Sequence, residues 1–354
     1  MSRVPRRLVW VLAVLLGAAT LSWSQLGTSY ADRILDLSES PGAFDSDNLI
    51  SNEASFLDVI PALAEDGVTG GAYVGVGPDQ NFSYIARIRP SVAYIIDIRR
   101  DNLLLHLLFK ALFEAAPTRV EYLSLLIGRV PPEPTPYWQE ASAEEILDAI
   151  DAAEPADRAR LRQQLEPRLR AFGVPLAAAD LETIARFHSA FVRSGFELRF
   201  SSHGRPPRRD YPTLRELLLA TDRDGNAWSY VASEDAYRFV RDLEARDGII
   251  PVVGDVSGPH AMRAIGAAMA RQGVSLSAMY ISNVENYLFR SGTFGRFVDN
   301  VARLPRAPGA VVIRSVFRGR SSVSLVQRVD DLAAGVATGR VQRYGDLAIA
   351  GAQR

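Results

Sequence analysis

A chain of 354 residues with 47% hydrophobic and 23% charged residues is too apolar for wholesale disorder and suits one large α/β domain with an insertion, or two domains. A formal charge of −1 supplies no overall basic field for a nucleic-acid backbone, so no nucleic-acid partner is expected. Zero cysteines exclude disulfides, thiolate nucleophiles and Cys-ligated metals, the only lysine (Lys110) lies outside any phosphate-binding G-x-x-x-x-G-K motif, and four histidines argue against a multi-histidine metal site.

In chain order, Arg3, Arg6 and Arg7 precede an apolar run from Leu8 to Leu21. Its 14 residues match a signal-peptide core and fall short of the ~20 that span a bilayer. Ser22 and Ser24 offer small residues before a cleavage point at Gln25. Residues 1–31 are therefore expected to be a signal peptide or membrane anchor, the only membrane contact, with the body outside the cytoplasm. A misassigned start codon would instead leave the body cytoplasmic.

Residues 32–116 carry a short helix over Ala54–Glu65 and two strand-like runs, Ala72–Gly77 and Val92–Asp97, followed by an apolar helix, Asn102–Ala115. Continuously apolar strands point to a parallel sheet covered on both faces. Residues 117–248 change character: a proline-rich linker at 131–136 leads into amphipathic helical patterns over 143–152, 156–172 and 179–193. Strand–helix alternation resumes in 249–354, with strands at Ile249–Gly254, Val274–Ser282, Gly309–Phe317 and Ser322–Val329. The expected fold is a doubly wound, mostly parallel α/β sheet with a helical insertion between strands two and three.

Four of these strands end in glycine-rich or polar turns: Gly75 to Asn81, Asp97 to Arg100, Gly254 to Gly258 and Ser282 to Tyr287. Parallel strand ends lie on one edge, where α/β proteins bind ligands, so a small-molecule ligand is expected there. A dinucleotide fingerprint would need a third glycine where Gln80 stands, which disfavours a pyrophosphate. Asp97, 20 residues beyond Gly77, is placed for a carboxylate that accepts both hydroxyls of a ribose.

In these motifs the sequence resembles class I S-adenosylmethionine-dependent methyltransferases, whose sheet is Rossmann-like. There the G-x-G turn follows strand one, an acid ending strand two holds the ribose, and an acid after strand three contacts adenine. The resemblance implies S-adenosylmethionine as cofactor, held by Gly75, Gly77, Asp97 and Asp255, with Asn283 in the turn after strand four. Asp79, Gln80 and Asn81 would contact the cofactor's amino-acid end. The strings GVGPDQNFSYI, DIRRDNLLLHLLFKALFE, YPTLRELL, VVGDVSGPHAMRAI and YISNVENYLF also resemble an uncharacterised bacterial family with this fold, over roughly residues 40 to 320. That likeness implies a fold and cofactor class but no acceptor. The prolines usual after strand four are absent, which argues against amino-methyl transfer of that type.

Glu285 is the leading general-base candidate, since a carboxylate in an enclosed cleft has its pKa raised toward neutrality. His260 is the alternative base, and Tyr287 would orient a substrate. Each has a plain structural counterpart: Asp97 as a helix cap, Asp255 as a turn former, His106 as a core histidine, His260 as a group bonded to backbone at a helix start. His203, Arg205, Arg208 and Arg209 form a basic loop, either solvated or receiving an anionic substrate. Without a G-x-S-x-G elbow a hydrolase is disfavoured. Two functions compete: a methyltransferase-like protein that binds S-adenosylmethionine, and an exported or anchored binding protein that keeps the fold without catalysis. An exported body would lack a cofactor made in the cytosol.

Overall fold

Residues whose side chains are apolar on both sides of the strand form the middle of one six-stranded sheet, as burial on two faces requires. The computed structural model describes residues 29–205, 208–318 and 321–351; the expected leader lies outside them except for its last three residues. Strands β1 (Ala72–Gly75), β2 (Val92–Asp97), β3 (Ile249–Val253) and β4 (Leu276–Ser282) are buried almost throughout. They join β5 (Arg306–Arg318) and β6 (Ser321–Arg328) in the order β3-β2-β1-β4-β5-β6. All neighbours pair in parallel except β5 and β6, an antiparallel hairpin. The chain steps outward from β1 to β3, then returns to the other side of β1 to lay down β4. The reversal puts a topological switch point between the C-terminal ends of β1 and β4.

Helix α1 (Tyr30–Leu37) begins at a capping box in which Ser29 and Asp32 bond each other's backbone N–H. It packs on β3 and covers that edge of the sheet; the Tyr30 hydroxyl donates to the Ile249 carbonyl at 3.2 Å. The expected helix at 54–65 divides into a 3-10 turn, Phe56–Val59, and α2 (Ile60–Glu65), because Pro61 lacks an N–H and fits only the first helical turn. Helices α3 (Gln80–Ile88) and α4 (Arg100–Ala115) follow β1 and β2.

The segment between β2 and β3 is helical beyond α4, as expected: α5 (Arg119–Ile127), α6 (Tyr137–Glu140), α7 (Ala143–Asp151), α8 (Arg158–Ala171), α9 (Ala178–Ser194), α10 (Leu214–Leu218) and α11 (Glu234–Ala245). It shares the core of the sheet. Helix α4 packs on β3, α8, α9 and α11 at once, and Phe82 of α3 meets Phe109, Phe113 and Tyr230 edge-on at 5.3–5.6 Å. Helices α12 (Ala261–Gln272), α13 (Val284–Arg290), α14 (Phe294–Ala302), α15 (Val329–Ala337) and α16 (Tyr344–Gly351) complete the chain. After β4 come two helices, α13 and α14, parted at Gly292, whose φ of +70° suits glycine. Among the described residues no helix is long and apolar enough to cross a membrane.

Candidate functional site

The turn after β1 is held from inside. Gly77 has φ +83°, a left-handed conformation that favours glycine. Asn81 donates its amide to the carbonyls of Val76 at 2.9 Å, Gly77 at 3.3 Å and Pro78 at 2.7 Å, and accepts from the Tyr73 hydroxyl at 2.8 Å. At Gly75 a Cβ would collide with the Asn81 amide and stand 2.9 Å from the Tyr73 hydroxyl. Gly75 is thus demanded by internal packing. Asn81, expected to hold a cofactor, is corrected to a staple of its own turn: its amide donors are already in use.

Three of the expected carboxylates are engaged as well. Asp97 accepts from the Arg99 guanidinium at 2.7 and 3.0 Å and from the Arg99 backbone N–H at 2.9 Å. Arg99 also donates to the carbonyls of Ser46 and Asp47, so the pair straps residues 46–47 over the end of β2. Asp255 closes a local turn by accepting from the backbone and hydroxyl of Ser257 at 2.8 and 2.9 Å, while Glu39 accepts its N–H. Glu285 is fully buried and held at both oxygens by the Arg314 guanidinium, at 2.6 and 3.2 Å. A general base must reach the proton it removes; Glu285 is therefore corrected to half of a buried ion pair.

The remaining candidates lie nearer the surface. His260 bonds the Asp36 carbonyl through Nε2 at 3.1 Å, matching its structural counterpart. Tyr287 is 40% exposed and meets Phe44 edge-on at 5.4 Å. Asn283 precedes α13, half-buried, without capping it. In the basic loop, His203 pairs with Asp47, Arg205 with Asp45 and Arg208 with Asp210. Lys110 is buried and paired with Asp247 at 2.9 Å.

Around Gly77 lies a polar group that pattern reading undervalued. His106 on α4 bonds the Gly77 carbonyl through Nε2 at 2.9 Å, leaving its buried Nδ1 without a partner. Burial pushes its pKa down to about 4, so the ring is neutral. Asn102, one helical turn earlier on the same face, has neither end of its buried amide bonded. Gln80 donates to the Tyr280 hydroxyl at 3.3 Å, and its Oε1 is buried without a donor. Asp79 is buried beside Tyr230, and desolvation lifts its pKa to about 7. Glu53, ahead of β1, accepts from the hydroxyls of Tyr280 on β4 at 2.5 Å and of Ser282 and Ser315 on β4 and β5, and Tyr280 links it to Gln80. Polar residues four apart in the otherwise apolar stretch 102–109 of α4 were a readable signal for Asn102 and His106; Glu53 had none.

A cavity of about 280 Å³ lies between residues 47–49 and the C-terminal half of α9, with Arg186, Arg193 and Arg199 in its wall. Its Asn48 approaches Gly77, the amide nitrogen standing 3.5 Å from where a Cβ would be. A second cavity, about 390 Å³ and lined mainly by aliphatic side chains, lies between α4, α8 and α9. Among the described residues no cluster of three or more histidines and carboxylates is placed to hold a metal.

A family model described as "Domain of unknown function (DUF7790)" matches residues 49–333, more than three-quarters of the chain. The protein belongs to that family, whose description assigns no activity. No curated protein matches it.

Proposed function

We propose that this member of the DUF7790 family binds a small adenosine-bearing cofactor of the S-adenosylmethionine class on a Rossmann-like methyltransferase sheet, at the crevice between β1 and β4. The observation that carries this reading is the set of buried polar atoms without partners around the Gly77 turn: Gln80 Oε1, His106 Nδ1 and both ends of the Asn102 amide. Each unmet buried polar atom costs roughly 1–3 kcal/mol, a cost that a ligand in the crevice would remove. The strand order supports the same place, because open α/β sheets bind ligands where the order reverses. Methyl transfer itself asks mainly for in-line positioning, so the engagement of Glu285 does not oppose it. Ribose binding at Asp97 would share that carboxylate with Arg99.

A second reading, binding without catalysis, draws on a different observation. Glu285, the expected general base, is tied to Arg314, and Asp97, expected to hold a ribose, is tied to Arg99.

Calorimetric titration of S-adenosylmethionine and S-adenosylhomocysteine into the full chain, beside Asn102→Leu, tests the site. Binding by the wild type that is lost in a folded Asn102→Leu protein supports it. No heat with either ligand from folded wild type sinks it.

A further inference from the structure

Glu53 is 1% exposed beside β4 and β5, and among the described residues its oxygens are met only by hydroxyls: Tyr280, Ser282 and Ser315. Among the described residues no lysine, arginine or histidine stands within ion-pair distance of it. Arg314, the neighbour of Ser315 on β5, is already spent on Glu285 and Gln327. Hydroxyls offset part of the desolvation of a carboxylate but bring no opposite charge, and buried charges are ordinarily paired. If only hydrogen bonding were needed here, a glutamine would serve at lower cost.

Two further observations point at the same spot. Tyr280, which donates to Glu53, is itself the acceptor for Gln80 Nε2, and the other end of that amide, 6% exposed as a residue, has no donor. An uncompensated carboxylate and an unmet carbonyl oxygen thus belong to one network, and both call for a positively polarised partner. Ser282, the last residue of β4, adopts φ +54°, a left-handed conformation unusual for serine, and its hydroxyl bonds Glu53. Among the described residues no three or more histidines and carboxylates are grouped to hold a metal ion, which wants several such ligands, so a metal is disfavoured here.

We propose that Glu53 is the counter-charge for a cationic group on the bound ligand, an organic sulfonium or ammonium, with the Gln80 carbonyl oxygen as its second acceptor. This rests on the ligand crevice proposed above and adds the charge of what fills it. In the ligand-free protein the carboxylate is then a standing cost, which a cation relieves.

Thermal unfolding of the full-length wild type and of Glu53→Gln at pH 8 tests this without a known ligand. Glu53→Gln is expected to melt about 2–5 °C higher, as removal of an uncompensated charge from a chain of this size implies. Trimethylsulfonium chloride, against sodium chloride at equal ionic strength, is expected to raise the melting point of the wild type and leave that of Glu53→Gln unmoved. A Glu53→Gln protein that melts lower than wild type, or one that trimethylsulfonium affects as it does wild type, overturns the proposal. Calorimetry then assigns the source of the cation. A loss of at least tenfold in S-adenosylmethionine affinity in Glu53→Gln, with S-adenosylhomocysteine changed by less than about twofold, identifies the cofactor's sulfonium. Equal affinities in both proteins, with trimethylsulfonium protection confined to wild type, identify an ammonium on the second substrate. If neither adenosine compound binds wild type, the cofactor reading falls, while the melting experiments still decide the role of Glu53.

Discussion

The Glu285–Arg314 pair separates a structural carboxylate from a catalytic one by measurement. The two side chains are 1% and 0% exposed, and Arg314 completes its bonding on Gln327 at 2.7 Å. Glu285→Gln keeps the shape and removes the charge, leaving a guanidinium buried beside a neutral amide. Breaking a buried pair in this way costs about 3–5 kcal/mol. An unfolding entropy near 2.1 cal/mol/K per residue gives roughly 0.7 kcal/mol/K for this chain, so the melting point should fall by about 4–7 °C. Glu285→Leu combined with Arg314→Met removes both charges together and should recover most of that loss. Circular dichroism melts of wild type, Glu285→Leu, Arg314→Met and the double variant, read as a double-mutant cycle beside Glu285→Gln, check the reasoning. It is refuted if Glu285→Gln melts within about 1 °C of wild type while ligand binding disappears, because Glu285 would then face a substrate.

Asn102→Leu exchanges a buried amide with two unmet ends for a side chain of similar size, so the ligand-free protein should be as stable as wild type or more so by about 1–3 kcal/mol. Urea denaturation reads this directly, and a loss beyond ~1 kcal/mol would mean that the amide is already bonded to ordered water. Asp79 and His106 should pull the stability of the wild type in opposite directions with pH. Desolvation raises Asp79 from 3.8 to about 7, so its contribution is complete below the unfolded value and is lost as pH rises toward 7. Desolvation lowers His106 from 6.5 to about 4, so its contribution is complete above the unfolded value and is lost as pH falls toward 4. Relative to wild type, Asp79→Asn should therefore gain stability as pH rises from 4 to 7, and His106→Gln should gain it as pH falls from 6.5 to 4; melts across that range that run parallel to wild type would contradict both assignments.

Strand positions were legible because burial on two faces writes itself as uninterrupted apolar runs: Val92–Asp97 was located to the residue, and the other runs to within about three. Strand ends were legible for the same reason, and with them the C-terminal edge of the parallel sheet. The partners of each polar residue were not. Glu285 in Asn283-Val284-Glu285-Asn286 looks like an open polar turn, yet its guanidinium comes from Arg314 on the next strand of the sheet, 29 residues on. An ion pair at Arg99 or Arg100 was readable, but not that Arg99 would join Asp97 to the carbonyls of residues 46–47. Glu53 gave no local signal, since its burial is created by β4 and β5, more than 200 residues downstream.

The helix that opens the described chain has a consequence for how the molecule is made. Tyr30 bonds Ile249 across 219 residues, and Ser38 and Glu39 bond Val253 beside it. On a ribosome this helix therefore waits for its docking site until the whole helical insertion has emerged. Such long-range pairing makes folding slow, and until β3 emerges the edge of β2 that it pairs stays uncovered. A bare parallel edge of Val92-Ala93-Tyr94-Ile95-Ile96 invites pairing with another chain, whereas the finished edge at β3 lies under α1 and carries Pro251. Nascent chains at high concentration should thus lose yield to aggregation, and shortening the insertion should recover it by bringing α1 and its strand closer in time.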